Sequence, residues 1–157
     1  MMPSDRRPRV RVAAIIRHGA TILLARHVKN GVSYWLLPGG GVEFGESLEE
    51  ALIRELREEA SVAIRVGALA FVNDTIAPDG ERHIVNLAFH AEITGGEVLV
   101  GPDDRLVEVR FVPIEEVNAM PLRPDIREEL LRGLSEGFVR GPAYLGKRWG
   151  RDDAWPR

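Results

Sequence analysis

The sequence predicts an α+β fold in which a mixed β-sheet is sandwiched between α-helices. Three observations lead there. Short apolar and β-branched runs that read as strands outnumber the helical segments. The two long amphipathic stretches are interspersed among those runs without the strict strand–helix–strand alternation of a doubly wound parallel sheet. A chain of 157 residues with 45% hydrophobic content is most simply one domain, and at this length ~70% of the surface exposed by the unfolded chain can be buried.

Residues 1–8 carry Arg6 and Arg7 ahead of the first apolar run and are expected to be mobile; residues 9–140 form the domain. Arg9 to Arg17, RVRVAAIIR, alternates and then turns apolar, which reads as a strand. His18-Gly19-Ala20 turns into a second strand, Thr21 to Ala25, and the pair suggests a hairpin that Arg26 and His27 end. Asn30-Gly31 marks a turn before a strand over Ser33 to Leu37. Trp35 in that strand reads first as packing and second as a wall of a cleft.

Ala63 to Asn73 reads as a strand, Ala77-Pro78-Asp79-Gly80 as a turn, and Arg82 to Ile93 as the returning strand, with Thr94-Gly95-Gly96 turning again. Arg105 to Pro113 is a further strand and Ile114 to Asn118 a short helix. A long helix opens at Pro124-Asp125 and runs to about Ser135, with Ile126, Leu130, Leu131 and Leu134 on one face. His18, His27, His83 and His90 lack ligand spacing with an acidic partner and read as strand residues. The tail, residues 141–157, stays unassigned; its Trp149 and Trp155 would dock on the domain or on a second copy in a homodimer.

The chemistry concentrates between Trp35 and Val62, WLLPGGGVEFGESLEEALIRELREEASV. Ser47 is a good N-cap, Glu50 completes a capping box, and Glu46, Glu49 and Glu50 place negative charge at the helix start, where the dipole favours it. At about 100° per residue, Leu52, Ile53, Leu56 and Ala60 share one arc. Glu55, Glu58 and Glu59 cluster on the neighbouring arc, related by three and four residues. Like charges at that spacing repel by roughly 0.2–0.5 kcal/mol per pair, so a cation is expected among them. A plain solvated Glu face, neutralised in part by Arg54 and Arg57, is the competing reading. The glycines directly upstream, Gly39, Gly40, Gly41 and Gly45, weigh against it, because they allow tight turns and close approach to a ligand. Three carboxylates near carbonyl oxygens make a hard-cation site of the kind that bridges Mg²⁺ to substrate phosphates.

Gly40 to Ser47 also has the outline of a phosphate-binding P-loop, but Glu46 stands where that loop needs lysine and would repel the phosphates. The dinucleotide-binding glycine pattern is not met in its strand-and-helix context either.

Gly40, five residues, Glu46, seven residues, then Arg54-Glu55-Leu56-Arg57-Glu58-Glu59 and Val62, entered through Leu37-Pro38-Gly39, closely resembles the Nudix box. Ser61 departs from it, standing where the family has glycine; a left-handed helix end there would carry a cost that glycine avoids. The resemblance implies the Nudix fold and hydrolysis of a nucleoside diphosphate linked to another group. It implies that Glu55, Glu58 and Glu59, with a carbonyl near Gly39, hold Mg²⁺ or Mn²⁺. Glu58 or Glu59 would accept a proton, and Arg54 would orient a carboxylate. Gly40, Gly41 and Glu46 would belong to the loop that meets the substrate. A further acid from the region before the last strand often joins such a site, and Asp103, Asp104 and Glu108 are the candidates.

A nucleoside triphosphate or related small-molecule nucleotide is the first substrate, with ADP-ribose or a nucleotide sugar next. Pro78 resembles the downstream proline of ADP-ribose hydrolases but is also ordinary turn chemistry. The family's coenzyme A, NADH and diadenosine polyphosphate signatures are not apparent. A Nudix-like module that binds a nucleotide without cleaving it is the alternative from another class.

A net charge of −3 gives no electrostatic case for nucleic-acid binding. No apolar stretch reaches membrane-span length, and the absence of cysteine excludes disulfides and thiol chemistry and fits a cytoplasmic protein.

Overall fold

The computed structural model describes residues 6–150. Trp155 and most of the expected mobile start lie outside the described residues. The chain runs β1 (Arg9–Ile15), β2 (Arg17–His18), β3 (Thr21–Lys29), β4 (Val32–Leu36), β5 (Gly39–Gly41), α1 (Leu48–Ala60), β6 (Val62–Ile76) and β7 (His83–Gly96). It continues through β8 (Leu106–Pro113), a 3₁₀ helix (Ile114–Ala119), α2 (Arg127–Glu136) and β9 (Ala143–Lys147).

The β layer is mixed and consists of two sheets. One has the order β5-β1-β7-β6-β9; in the other, β3 pairs with β2, β4 and β8. β1 runs parallel to β7 and antiparallel to β5, in a register that sets Ala13 against both Ala88 and Gly39. Helix α1 covers one side of the layer and α2 with the 3₁₀ helix the other. Val12 and Ala14 therefore join the core under Leu52 and Leu56, while Ala13 and Ile15 join the core under Leu130 and Leu134. This alternation of neighbouring residues between two buried faces is why β1 reads as a continuous apolar run. Complete burial of Leu52 and Leu56 stabilises the α1 contact by about 1.5–3 kcal/mol each.

The α+β class and the helix-covered mixed layer match the sequence reading, and local details correct it. The expected hairpin is confined to β2 and β3, because the chain changes sheets at Ile16 and β1 pairs elsewhere. Arg26 and His27 do not end β3; they pair with Trp35 and Tyr34 of β4. Thr94-Gly95-Gly96 is not a turn, since Gly95 and Gly96 complete the ladder with Ala63 and Val62. The tail from Gly141 supplies β9, parallel to β6. Trp35 is buried in the α2-side core, with the Arg110 guanidinium 5.0 Å from its ring centre. All four histidines lie in strands. Among the described residues, no helix is long and apolar enough to cross a membrane.

Candidate active site

The capping box at Ser47 forms as the residues dictate: Glu50 N–H donates to Ser47 Oγ at 3.0 Å, and Ser47 N–H to the Glu50 carboxylate at 3.3 Å. The fixed start orients the acidic arc of α1 toward the three-residue strand β5, which is where the expected glycine loop has gone. Glycine is required there by close approach. A Cβ on Gly39 would lie 2.0 Å from the Val12 carbonyl, and one on Gly40 would lie 2.3 Å from the Glu55 carboxyl carbon.

Arg54 gathers the polar groups around this contact. Its Nε and Nη2 donate to the two oxygens of Glu46 at 2.8 and 2.7 Å, and Nη2 also donates to the Gly41 carbonyl at 3.0 Å. Its Nη1 donates to Glu55 at 2.8 Å and Glu58 at 3.3 Å. The bidentate pair with Arg54 and the Glu43 amide hold the Glu46 carboxyl down at about 2. Glu46 thereby stitches the loop to the helix, taking the Glu43 N–H at 2.8 Å.

Glu59 has a different environment. The residue is half-buried with its carboxylate turned in, where it accepts a hydrogen bond from the Gly39 amide and feels the Arg11 charge. Burial pushes its carboxyl up to about 7, opposed by Arg11 and reinforced by the Glu55 charge. Its Oε1 is enclosed with no hydrogen-bond partner, which costs stability unless something positive is supplied.

Glu55, Glu58 and Glu59 share the arc without closing on one point in this conformation. Among the described residues, no three acidic or imidazole groups sit together at metal-holding distance. Arg54 draws Glu55 and Glu58 to its guanidinium, Glu58 stays 61% exposed, and Glu59 turns inward. The donor chemistry nevertheless suits a hard divalent ion, because an orphaned carboxylate oxygen lies beside a second carboxylate whose present counter-ion is a movable side chain.

The three acids offered from the β8 region separate. Glu108 is committed to Arg26 at 3.0 Å and Arg110 at 2.6 Å. Asp103 accepts the Arg105 N–H at 2.8 Å and is the one whose charge reaches Glu59 and His27. Asp104 is exposed.

Residues that sequence reasoning passed over complete the surroundings. Arg11 donates to the Leu37 carbonyl at 2.8 Å, and burial lowers its pKa against the pull of Glu59 and Glu55. Tyr34 packs beside His27, with ring centres 5.9 Å apart, and the Arg123 guanidinium lies 5.3 Å from the Tyr34 ring centre. A parallel bridge places Arg123 there: Trp35 N–H donates to the Pro121 carbonyl and Arg123 N–H to the Trp35 carbonyl, each at 2.8 Å. No local pattern signals such a cluster, because its members come from four distant segments.

At the helix end, Ser61 adopts φ 62°, the left-handed conformation. Its Oγ donates to the Leu99 carbonyl at 3.1 Å, while Leu99 and Gly101 N–H groups cover the Ala60 and Glu59 carbonyls at 3.0 and 2.9 Å. The returning chain thus replaces much of what the family's glycine would give.

A glycine-lined helix start, an arginine-clamped acidic arc and a helix-covered mixed β layer are the features this chain shares with a known family. The NUDIX domain family model matches residues 6–133, and the chain belongs to the Nudix family. Over 102 residues it is 35% identical to an ADP-ribose pyrophosphatase of Methanocaldococcus jannaschii, covering 64% of this chain and 60% of that protein. It is 32% identical over 133 residues to the NAD-capped RNA hydrolase NudC of Pseudomonas entomophila, covering 82% of this chain and 46% of that one. The chain thus spans about half the length of the curated relatives it matches. A solved Nudix hydrolase from Nitrosomonas europaea aligns with a TM-score of 0.69 at 26% identity, over 89% of this chain and 77% of that one. Nudix hydrolases generally use a divalent metal.

Proposed function

We propose that the protein hydrolyses a pyrophosphate bond in a nucleoside diphosphate linked to another group, with a nucleoside triphosphate or related nucleotide as first substrate. The observation that carries this reading is the buried, unpartnered Glu59 Oε1 beside Glu55. Glu55, Glu58 and Glu59 would hold Mg²⁺ or Mn²⁺, with the Gly39 backbone alongside. When bound, such an ion neutralises the diphosphate and acidifies water.

The chain's own groups do the rest. Glu58 or Glu59 would take the proton of the attacking water. One P–O bond forms as the bridging P–O bond breaks, and the leaving phosphate departs with the bridging oxygen. Arg54 positions Glu55 and Glu58, and its pairing with Glu46 keeps the loop of Gly40 and Gly41 against the helix. Asp103 is the additional acid best placed to act through Glu59. The cysteine-free chain suits the cytoplasm, and a homodimer through the C-terminal region accords with the exposed Tyr144 on β9.

Similarity to the archaeal ADP-ribose pyrophosphatase supports ADP-ribose as second substrate. The remaining alternative is a module that binds a nucleotide without cleaving it. Nucleoside triphosphates, ADP-ribose and nucleotide sugars should be offered with Mg²⁺ or Mn²⁺ and the products identified by mass spectrometry. Metal-dependent release of a nucleoside monophosphate supports the enzyme. Tight calorimetric binding with no turnover of any member would establish the silent module instead.

A further inference from the structure

The last turn of α1 carries Glu58 and Glu59, and the carbonyls of that turn have no partner within the helix. A strap from Leu99 to Gly101, between β7 and β8, meets them. Leu99 N–H donates to the Ala60 carbonyl at 3.0 Å, Gly101 N–H to the Glu59 carbonyl at 2.9 Å, and Ser61 Oγ to the Leu99 carbonyl at 3.1 Å.

At Gly101 the strap lies closer to the helix than any side chain permits. A Cβ there would stand 1.8 Å from the Glu58 carbonyl oxygen, 2.9 Å from the Glu58 carbonyl carbon and 3.2 Å from the Glu59 Cα. All three are backbone atoms, so no side chain can swing aside, and the strap or the helix end would have to shift by more than about 1 Å. The Gly101 φ lies outside the left-handed region, so glycine is required here for space and not for conformation.

What moves with the strap is Asp103. Pro102 stiffens the step between the two residues, and Asp103 N–H donates to the Gly101 carbonyl at 3.1 Å. Asp103 is then locked by taking the Arg105 N–H on its carboxylate at 2.8 Å and the Leu106 N–H on its carbonyl at 3.2 Å. Acids from two separate segments thus share one backbone contact, with Glu58 and Glu59 on one side of it and Asp103 two residues along on the other.

We infer that Gly101 is a positioning residue for the acidic arc: its missing side chain lets the Asp103 turn and the last turn of α1 dock as one unit that receives the divalent ion. The inference rests on the proposed metal-dependent hydrolysis and adds a second source for the arc's geometry, the strap as well as the helix. Displacement of this kind is costly, because loss of an outer support typically lowers metal affinity or activity by about 10–100-fold.

The test measures binding of Mn²⁺ alone, from the paramagnetic resonance signal of the free ion, in the wild type, Gly101→Ala and Gly95→Ala. Gly95→Ala removes the same chain freedom without a clash, since its Cβ would meet only the Ala63 Cβ, at 3.9 Å. Mn²⁺ affinity should fall by about 10–100-fold in Gly101→Ala and stay within about twofold of the wild type in Gly95→Ala. A merely structural role would lower the melting temperature and leave the affinity of the folded protein alone. Equal affinity in the wild type and Gly101→Ala therefore overturns the inference and leaves the hydrolase reading standing, whereas a wild type that takes up no Mn²⁺ removes the metal-dependent reading itself. Should the Ala variant fail to fold, hydrogen exchange on the wild-type protein decides. Coupling between strap and ion is reciprocal, so Mg²⁺ should slow exchange of the Leu99 and Gly101 amides by about tenfold or more relative to the Phe138 amide, which closes the end of α2 on the Gly133 carbonyl. Equal slowing at all three amides refutes the coupling.

Discussion

The two sides of the β layer hold their polar residues in different ways. On the α1 side, the acids and their arginine come from one continuous stretch, Glu46 to Glu59, and one helix sets their spacing. On the α2 side, Arg11, Asn73, Asn86 and Arg123 arrive from β1, β6, β7 and the approach to α2, and only the assembled sheet brings them together. The first arrangement is set by spacing along one segment, and the second by how distant segments meet. Breaking the first should stop turnover; disturbing the second should be felt first in stability.

The largest effect is expected at Glu58. Its side chain is 61% exposed, so Glu58→Gln should leave the fold intact. Loss of a carboxylate from the reacting centre should lower metal-dependent kcat by about 10²–10⁴, measured as phosphate release under saturating Mg²⁺. Full activity in this variant would remove the assigned role.

Arg54→Met comes next. It strips Glu46, Glu55, Glu58 and the Gly41 carbonyl of one shared donor. Because the guanidinium is only partly enclosed, a loss of about 2 kcal/mol is expected in chemical denaturation. Catalysis should fall by more than that loss of folded protein explains. An unchanged midpoint would mean that the network adds nothing to folding.

His27 and Glu59 give stability opposite pH dependences. Burial holds the His27 imidazole down at about 4 against an ordinary 6.5. The unfolded chain therefore binds the proton first as pH falls, and stability present above 6.5 is lost progressively toward 4. His27→Gln should flatten that part of the stability–pH curve. Because Glu59, pushed up to about 7, adds stability as pH falls toward 4.5, the comparison is with the variant: wild-type and His27→Gln stability curves that run parallel through this window would contradict the assignment.

The smallest effect is at the helix end. Ser61→Gly relieves the left-handed strain but forfeits the bond to the Leu99 carbonyl, so a net gain of about 0.5 kcal/mol is expected. A destabilised variant would show that the hydrogen bond outweighs the strain.

The same contrast explains how far the sequence could be read. The capping box, the acidic arc and the glycine contact were legible because each is a local rule acting within a few residues. That the Glu59 carboxylate would be enclosed while Glu58 stays in solvent was not, since it depends on how β1 and β5 lie against the helix. The change of sheets at Ile16 was hidden by a run that is apolar on both faces. Gly95 and Gly96 read as a turn because glycine is ordinary turn chemistry, yet here they extend β7 beside Val62 and Ala63. The grouping of Arg11, Asn73, Asn86 and Arg123 has no signature at all, because strand register alone brings its members together.

The central claim is that the acidic arc of α1 activates water against a phosphoanhydride. Hydrolysis of a nucleoside triphosphate in ¹⁸O-enriched water with Mg²⁺, products resolved by mass spectrometry, tests it most directly. A single heavy oxygen in one phosphoryl product of each turnover, abolished by chelation and by Glu58→Gln, is the predicted result. Label that appears equally without metal or in the Gln variant would contradict the account.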